Sequence, residues 1–323
     1  MRRPSALVFR AAADRPPPGV ERGTEFADLR FAPDAAALED AIAEAEVLFM
    51  YQAPREALVE AFPKASTLRW IQTGSAGVDG LLFPELVASD VIVTNARGVF
   101  DDAIAEWALG MMLAFATGIV RSVRDSVEHR WDSDRRTERL AGARLVVVGP
   151  GPIGHAAARL ARAAGMEVEA VGTRDRDDPI LGRVHGPEAF HEALARADYV
   201  LNALPLAPGT RHRFDAAAFA AMKPSARFLN VGRGKTVDER ALIEALDAGR
   251  LAGAGLDVFE TEPLPPESPL WSMPNVVISP HICGDYEGWE AVVVDVFVDN
   301  LARYAAGEPL HNLVDKERGH GAG

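Results

Sequence analysis

The run Gly149-Pro150-Gly151-Pro152-Ile153-Gly154 constrains the fold more than any other stretch of this chain. It follows the apolar run Leu145-Val146-Val147-Val148 and opens an Ala-rich helical pattern from Ile153 to Ala164. Between a strand and a helix, G-x-G-x-x-G glycines allow a tight turn, admit a pyrophosphate close to the backbone and aim a helix N-terminus at it. The setting therefore favours a dinucleotide loop over a purely structural turn. Pro152 lacks an N–H, which removes one phosphate donor, although its fixed φ suits the first helical position. More of the anion contact falls to Ile153 N–H.

Around this loop, short β-rich runs alternate with helical patterns, as in a parallel α/β sheet. Strands are predicted at Ala6 to Phe9, Val47 to Tyr51, Leu68 to Gln72 and Val91 to Asn95, with a helix at Ala35 to Glu44. The alternation restarts near residue 100. Six further strands, at 144–148, 167–171, 199–203, 227–231, 255–258 and 276–279, are enough for a doubly wound (Rossmann) sheet. Trp289 to Ala306 reads as a helix with its apolar face at Val292, Val296, Leu301 and Tyr304, returning to the first domain. The polar tail from Asp315 onward is expected to fray.

Ala103 to Val120 carries a single charge, Glu106, and is long enough to raise the question of a membrane. Its Ala and Gly content, that carboxylate and the preceding Asp101-Asp102 favour a buried helix packed through small residues. The apolar stretch after Met1-Arg2-Arg3 is cut at Arg10, too early for a signal peptide core. Thirty-four Lys and Arg against 47 Asp and Glu leave a net charge of −13, which argues against a nucleic-acid partner; the basic runs are short, such as Arg135-Arg136. Cys283 is the only cysteine, so neither an intrachain disulfide nor a cysteine-built zinc site is expected, and a cytoplasmic location fits.

The end of the second Rossmann strand selects the dinucleotide, because an acid there bonds the ribose hydroxyl of NAD and an Arg suits the 2′-phosphate of NADP. Here the strand ends in Gly172-Thr173-Arg174, which favours NADP; the alternative is a solvated Arg174 with Asp175 on the ribose. Three later runs each place polar residues just past a strand: Asn230-Val231-Gly232-Arg233-Gly234, Gly255 to Pro263 with Asp257 and Glu262, and Ser279-Pro280-His281-Ile282. An Arg to clamp a carboxylate, a His to exchange a proton and a carboxylate to hold that His make a coherent reduction site.

Taken with Gly74-Ser75-Ala76-Gly77-Val78-Asp79, Thr94 to Gly98, Ala105 to Leu109, Leu204-Pro205-Leu206 through Thr210-Arg211-His212, and Asn300 to Leu310, these runs resemble the D-isomer-specific 2-hydroxyacid dehydrogenase family over nearly the whole chain. The resemblance implies a Rossmann cofactor domain (100–284) inserted into a flavodoxin-like substrate domain (1–99 and 285–323). It also implies a homodimer with the Ala103 to Val120 helix near the interface. Arg233 would hold the substrate carboxylate and carbonyl, His281 would be the acid/base, and Glu262 would pair with His281. Backbone amides at Ser75, Ala76 and Gly77 would bind the substrate carboxylate, and Asp257 would lie beside the nicotinamide carboxamide. The glycine loop, Thr173, Arg174, Leu204, Pro205, Thr210, Val231 and Gly232 would complete the cofactor site. Tyr51, with Gln52, Phe100 and Trp289, is expected to line the side-chain pocket.

Two departures from the family pattern stand out: the strand-end acid of NAD-using members is missing, and Cys283 occupies a position where Ala or Gly is usual. The cysteine reads as a packing residue. The expected reaction is hydride transfer between NADPH, or NADH, and a 2-keto acid to give a (2R)-hydroxy acid. A formate-oxidising relative fits less well because Glu262 is not Gln. A nonenzymatic dinucleotide sensor, like the corepressors built on this fold, is the alternative.

Overall fold

The computed structural model describes residues 3–11, 14–134 and 136–321, and its chain divides into two compact units, Met1–Val99 with Tyr286–Gly323 and Phe100–Asp285. Arg135 and the Met1-Arg2 opening lie outside the described residues.

The first unit begins with β1 (Ser5–Phe9), β2 (Asp28–Ala32), α1 (Ala35–Ala41), β3 (Val47–Met50), α2 (Arg55–Ala61), β4 (Trp70–Thr73), α3 (Pro84–Ala88) and β5 (Ile92–Thr94). Its sheet is parallel in the order β2-β1-β3-β4-β5, the flavodoxin-like arrangement. Asp34 caps α1 by accepting from Ala37 N–H at 2.8 Å. Leu7, Phe9, Leu48, Met50, Ile71 and Val93 share one sheet face with Leu38, Leu58 and Ala61 of α1 and α2. The edge strand β2 escapes the sequence pattern because its Asp28 and Arg30 are exposed.

The second unit comprises α4 (Asp101–Ala116), α5 (Ile119–Val127), β6 (Arg144–Val148), α6 (Pro152–Ala163), β7 (Glu167–Val171), β8 (Arg176–Asp178), β9 (Gly182–His185), α7 (Phe190–Arg196), β10 (Tyr199–Asn202), α8 (Ala216–Ala221), β11 (Arg227–Asn230), α9 (Glu239–Asp247), β12 (Gly253–Leu256) and β13 (Val276–Ile278). The sheet order is β13-β12-β11-β10-β6-β7-β9-β8, parallel except for β8 against β9. It has eight strands rather than six, because the short polar β8–β9 hairpin carries no apolar alternation. Successive residues of β6 feed opposite cores. Val146 and Val148 pack with Phe190, Phe219 and Leu242 of α7, α8 and α9, and Leu145 and Val147 with Ala108, Met112, Ala157 and Ala161 of α4 and α6.

The expected helix from Ala103 to Val120 is not continuous. Gly118 takes a left-handed conformation (φ 73°), and the chain resumes as α5 at a bend of 68°. Among the described residues no single helix is long and apolar enough to cross a membrane.

The remainder of the first unit is α10 (Trp289–Ala306) and a hairpin of β14 (Val314–Asp315) and β15 (His320–Gly321). The apolar face expected on α10 is shifted: Val293, Phe297 and Leu301 are buried, whereas Val292 is 37% exposed. Phe297 stacks on Phe49 (4.3 Å between centroids) and Trp70, so the aromatic contact sets the helix's rotation rather than the valine run. The start of the tail is tied down: Lys316 Nζ donates to the carbonyls of Leu86 (3.0 Å), Ser89 (2.6 Å) and Val91 (2.9 Å), in the last turn of α3 and just past it.

Candidate active site

The order of the second sheet reverses between β6 and β10, the switch point at which open α/β sheets bind ligands. The glycine loop lies there. Gly149 has φ 101°, and a Cβ on it would meet Ala203 O at 2.7 Å; a Cβ on Gly154 would meet Gly149 O at 2.6 Å. These two glycines are demanded by packing. Gly151 differs, since a Cβ there would meet nothing within 4 Å. Its open side faces away from the packed backbone, beside an α6 N-terminus whose first residue is Pro152 and whose Ile153 N–H has no intrahelical acceptor. A pyrophosphate fits such a cradle.

At the end of β7, Gly172 packs against Pro150, and Thr173, Arg174 and Asp175 are exposed. Asp175 Oδ1 is engaged by Arg183 at 3.2 Å, while Arg174 has no side-chain partner among the described residues. On the other side of the switch point, Leu204 N–H donates to Asn202 Oδ1, and the Thr210 hydroxyl closes its own loop by donating to Pro205 O (2.6 Å) and accepting from Ala207 N–H (2.8 Å). A Cβ on Gly232 would meet Leu204 O at 2.6 Å, which brings that loop against Val231-Gly232.

The catalytic runs converge at the ends of β11, β12 and β13. His281 Nδ1 lies 2.7 Å from Glu262 Oε2, and Glu262 Oε1 accepts from Phe259 N–H at 2.9 Å. Both side chains are partly exposed. The hydrogen bond and charge of Glu262 raise the His281 pKa against the opposing effects of burial and of Arg233. Burial alone would raise the Glu262 carboxyl, but bonds from His281 and the Phe259 amide, with the charges of His281 and Arg233, hold it below its ordinary value. Arg233 is thus electrostatically coupled to both partners. Its Nη1 donates to Gly232 O at 2.9 Å. The backbone of Gly234 lies so close to Phe259 that a Cβ would sit 1.8 Å from its carbonyl, which locks the Arg233 loop to the Glu262 loop.

Two of the expected site residues are buried. Asp257 is fully buried, with Oδ1 accepting from Ser279 Oγ (2.5 Å), Ile282 N–H (3.0 Å) and Cys283 N–H (3.1 Å), and its carbonyl accepting from His281 N–H (2.8 Å). Its carboxylate holds the His281 loop, where φ at His281 is 56°. Tyr51 is also fully buried: its hydroxyl donates to Glu290 Oε1 (3.1 Å), its ring stacks on Trp289, and burial raises its pKa. Gln52 is exposed at φ 47°, and Phe100 and Trp289 are half-buried. Cys283 is partly buried, and burial, with Asp257, pushes its thiol far up, as befits an inert packing residue.

In the first unit, the loop after β4 has its carbonyls occupied. Ala76 O accepts from Asn95 Nδ2 (2.6 Å), Ser75 O from Ala96 N–H (2.9 Å) and Gly77 O from Ser75 Oγ (2.7 Å). Among the described residues the Ala76 and Gly77 N–H groups have no acceptor, so the loop presents donors only.

Sequence reasoning missed a buried network that carries the Arg233 loop. Asn202 Nδ2 donates to Asn230 Oδ1 (2.9 Å) and Thr236 Oγ1 (2.7 Å), and Thr236 Oγ1 donates to Arg233 O (2.6 Å). The signal was an Asn ending each of two strands; Asn202 and Asn230 are register partners in β10 and β11.

Residues 109–283 match the family profile described as D-isomer specific 2-hydroxyacid dehydrogenase, NAD binding domain. A glyoxylate reductase of Korarchaeum cryptofilum is 33% identical over 265 residues, spanning 80% of this chain and 79% of that protein. A glyoxylate/hydroxypyruvate reductase B of Citrobacter koseri is 36% identical over 277 residues, 81% of each. Among solved structures, a D-isomer specific 2-hydroxyacid dehydrogenase from Xanthobacter autotrophicus Py2 in complex with NADPH and MES superposes with a TM-score of 0.82 at 32% identity, covering 98% of this chain and 100% of that one. An NADPH-dependent glyoxylate/hydroxypyruvate reductase from Sinorhizobium meliloti, in complex with NADP and sulfate, gives 0.82 at 26% identity over 98% and 100%. A sequence matched over four fifths of its length by reductases a third identical to it, with the site geometry set out above, belongs to the D-isomer specific 2-hydroxyacid dehydrogenase family.

Proposed function

We propose that this protein is an NAD(P)-dependent 2-keto acid reductase of the glyoxylate/hydroxypyruvate type, forming a (2R)-hydroxy acid. The observation that carries the reading is the His281–Glu262 pair coupled to Arg233 at the strand ends that flank a dinucleotide loop. When bound, the reduced nicotinamide supplies the hydride. Because His281 Nδ1 is committed to Glu262, Nε2 is the atom that delivers a proton to the substrate carbonyl oxygen as C2 is reduced. Arg233 neutralises the substrate carboxylate and polarises the carbonyl; within the first unit, the donor-only loop at Ser75, Ala76 and Gly77 has the chemistry to take a carboxylate. Unit Phe100–Asp285 carries the dinucleotide loop together with Arg233, Glu262 and His281.

NADP is favoured over NAD. Arg174 is exposed and unengaged among the described residues, while Asp175 is committed to Arg183, and the Xanthobacter and Sinorhizobium relatives named above were solved with NADPH and NADP. The sensor alternative draws no support from the relatives, whose names are those of reductases and dehydrogenases. The protein acts as a homodimer in the cytoplasm, without nucleic-acid or membrane partners. A stripe of Ile119, Val123 and Val127 on α5, the last 78% exposed, beside the 94% exposed Trp131, supports the dimer, and the single cysteine and net charge of −13 support the rest.

The test is loss of NADPH and, in parallel, NADH absorbance with a panel of small and aromatic 2-keto acids. Rapid NADPH oxidation with glyoxylate and hydroxypyruvate is expected. No oxidation of either dinucleotide by any member of the panel would sink the reading.

A further inference from the structure

The first turn of α6 carries a side chain that the glycine-loop reading does not use. His155 follows Gly154 directly, with Nδ1 2.8 Å from Gly151 O and Nε2 2.8 Å from Asp178 Oδ2. Each ring nitrogen lies within hydrogen-bonding distance of a protein oxygen, so neither is left facing a ligand. Asp178 ends β8, and its side chain is only 10% exposed. Its Oδ1 accepts from Ile180 and Leu181 N–H, each at 2.9 Å, closing the β8–β9 turn. Burial opposes the charge, but these bonds and His155 outweigh it and hold the carboxyl down at about 2. Two turns further along α6, Arg162 Nε donates to Ile180 O at 2.9 Å. The hairpin turn therefore docks on α6 at two points of one helix face.

Residues 172–175 link β7 to β8 and include Thr173 and Arg174. The β7 end of the link is fixed by the parallel ladder to β6. The β8 end is held by pairing with β9, by Arg183 on Asp175 and Asp177, and by His155 on Asp178; the Arg183 pairs are exposed, and the His155 contact is the shielded one.

We propose that His155 and Asp178 form a clasp through which the glycine loop fixes the place of Arg174, and so sets discrimination for a dinucleotide bearing an adenosine 2′-phosphate over one without it. The proposal rests on the NADP reading above. His155 and Asp178 are positioning residues, acting through Arg174 rather than on the ligand.

Calorimetric titration of the full chain with NADPH and with NADH, without turnover, tests this in wild type, His155→Ala, Asp178→Asn and the double variant. Asp178→Asn keeps the oxygen that closes the turn and removes the carboxylate charge that holds His155, which separates weakening of the clasp from misfolding. Wild type should prefer NADPH, and each single variant should lower that preference about tenfold, with NADH affinity unchanged to within about twofold. The double variant should lose no more than either single, the mark of one shared interaction. Wild-type preference retained in both singles, or equal loss for both dinucleotides, would overturn the clasp. A wild type that prefers NADH or binds neither overturns the NADP reading itself, and the clasp with it.

Discussion

At the scale of residues, the proton balance of the site rests on two opposed shifts: His281 is raised by Glu262, and Glu262 is lowered because its hydrogen bonds outweigh its burial. Reduction needs His281 protonated, so turnover in that direction should hold at low pH and fall as pH rises through a His281 pKa above its ordinary value. Glu262→Gln keeps an acceptor for the Phe259 amide and removes the charge, so the falling limb of the pH–kcat/KM profile for keto acid reduction should move to lower pH. An unmoved limb would show that Glu262 does not set it. His281→Ala in the same assay should lose about 10²- to 10⁴-fold in kcat while binding dinucleotide as before. The pair also links stability to pH. The His281 contribution is full below its unfolded pKa and lost as pH rises through the raised folded one; that of Glu262 is present above its unfolded pKa and lost as pH falls through the lowered folded one. The pair therefore stabilises most between the unfolded pKa of Glu262 and that of His281, modestly because both side chains are partly exposed. Arg233, Glu262 and His281 stand out in sequence because each lies in a polar run that follows an apolar strand. The hydrogen-bond partners of Asp257 were not legible, since Ser279, Ile282 and Cys283 stand 22 to 26 residues away.

At the scale of elements, the glycine loop divides its glycines by purpose. Gly154→Ala pushes a Cβ into the Gly149 carbonyl and Val147, so it should destabilise the ligand-free protein by about 1–3 kcal/mol. Gly151→Ala meets open space, so it should leave the ligand-free melting temperature within about 1 °C while weakening dinucleotide binding. Thermal melts with and without NADPH separate the two. Equal destabilisation of the ligand-free protein by both substitutions would mean that Gly151 is a packing residue and not part of a cradle. The strand–loop–helix unit was readable because β6 is a run of buried apolar residues closed by glycines. The β8–β9 hairpin was not, because its three- and four-residue strands are polar and are held by docking on α6. The break after α4 is a similar case, since one left-handed Gly118 ends an apolar run that reads as continuous.

At the scale of the whole molecule, the exposed stripe Ile119, Val123, Val127 lies at four-residue spacing on one side of α5. A Val123→Asp, Val127→Asp double variant should shift the protein from dimer to monomer in light scattering on a sizing column, with secondary structure retained by circular dichroism. A dimer that survives both charges would place the interface elsewhere. The first unit depends on a segment far along the chain: buried Asn300 Nδ2 donates to Gln72 Oε1 (3.1 Å), which also accepts from Thr94 Oγ1 (2.7 Å), itself the acceptor for Trp70 Nε1 (2.7 Å). A polar network of this kind specifies one arrangement, because each member left unpaired inside the sheet would cost about 1–3 kcal/mol. The sequence by itself determined the α/β class, the dinucleotide loop, the succession of parallel strands and the three polar strand ends, because apolar runs, glycines and strand termini are written in neighbouring residues. Only the tertiary structure decided which face of α10 is buried, that Tyr51 is enclosed, that the tail is tied down by Lys316 and that Asn202, Asn230 and Thr236 carry the Arg233 loop. These outcomes depend on partners that meet only when the sheet forms; Asn300 and Gln72 stand 228 residues apart, and no local pattern in the chain can record such a pairing.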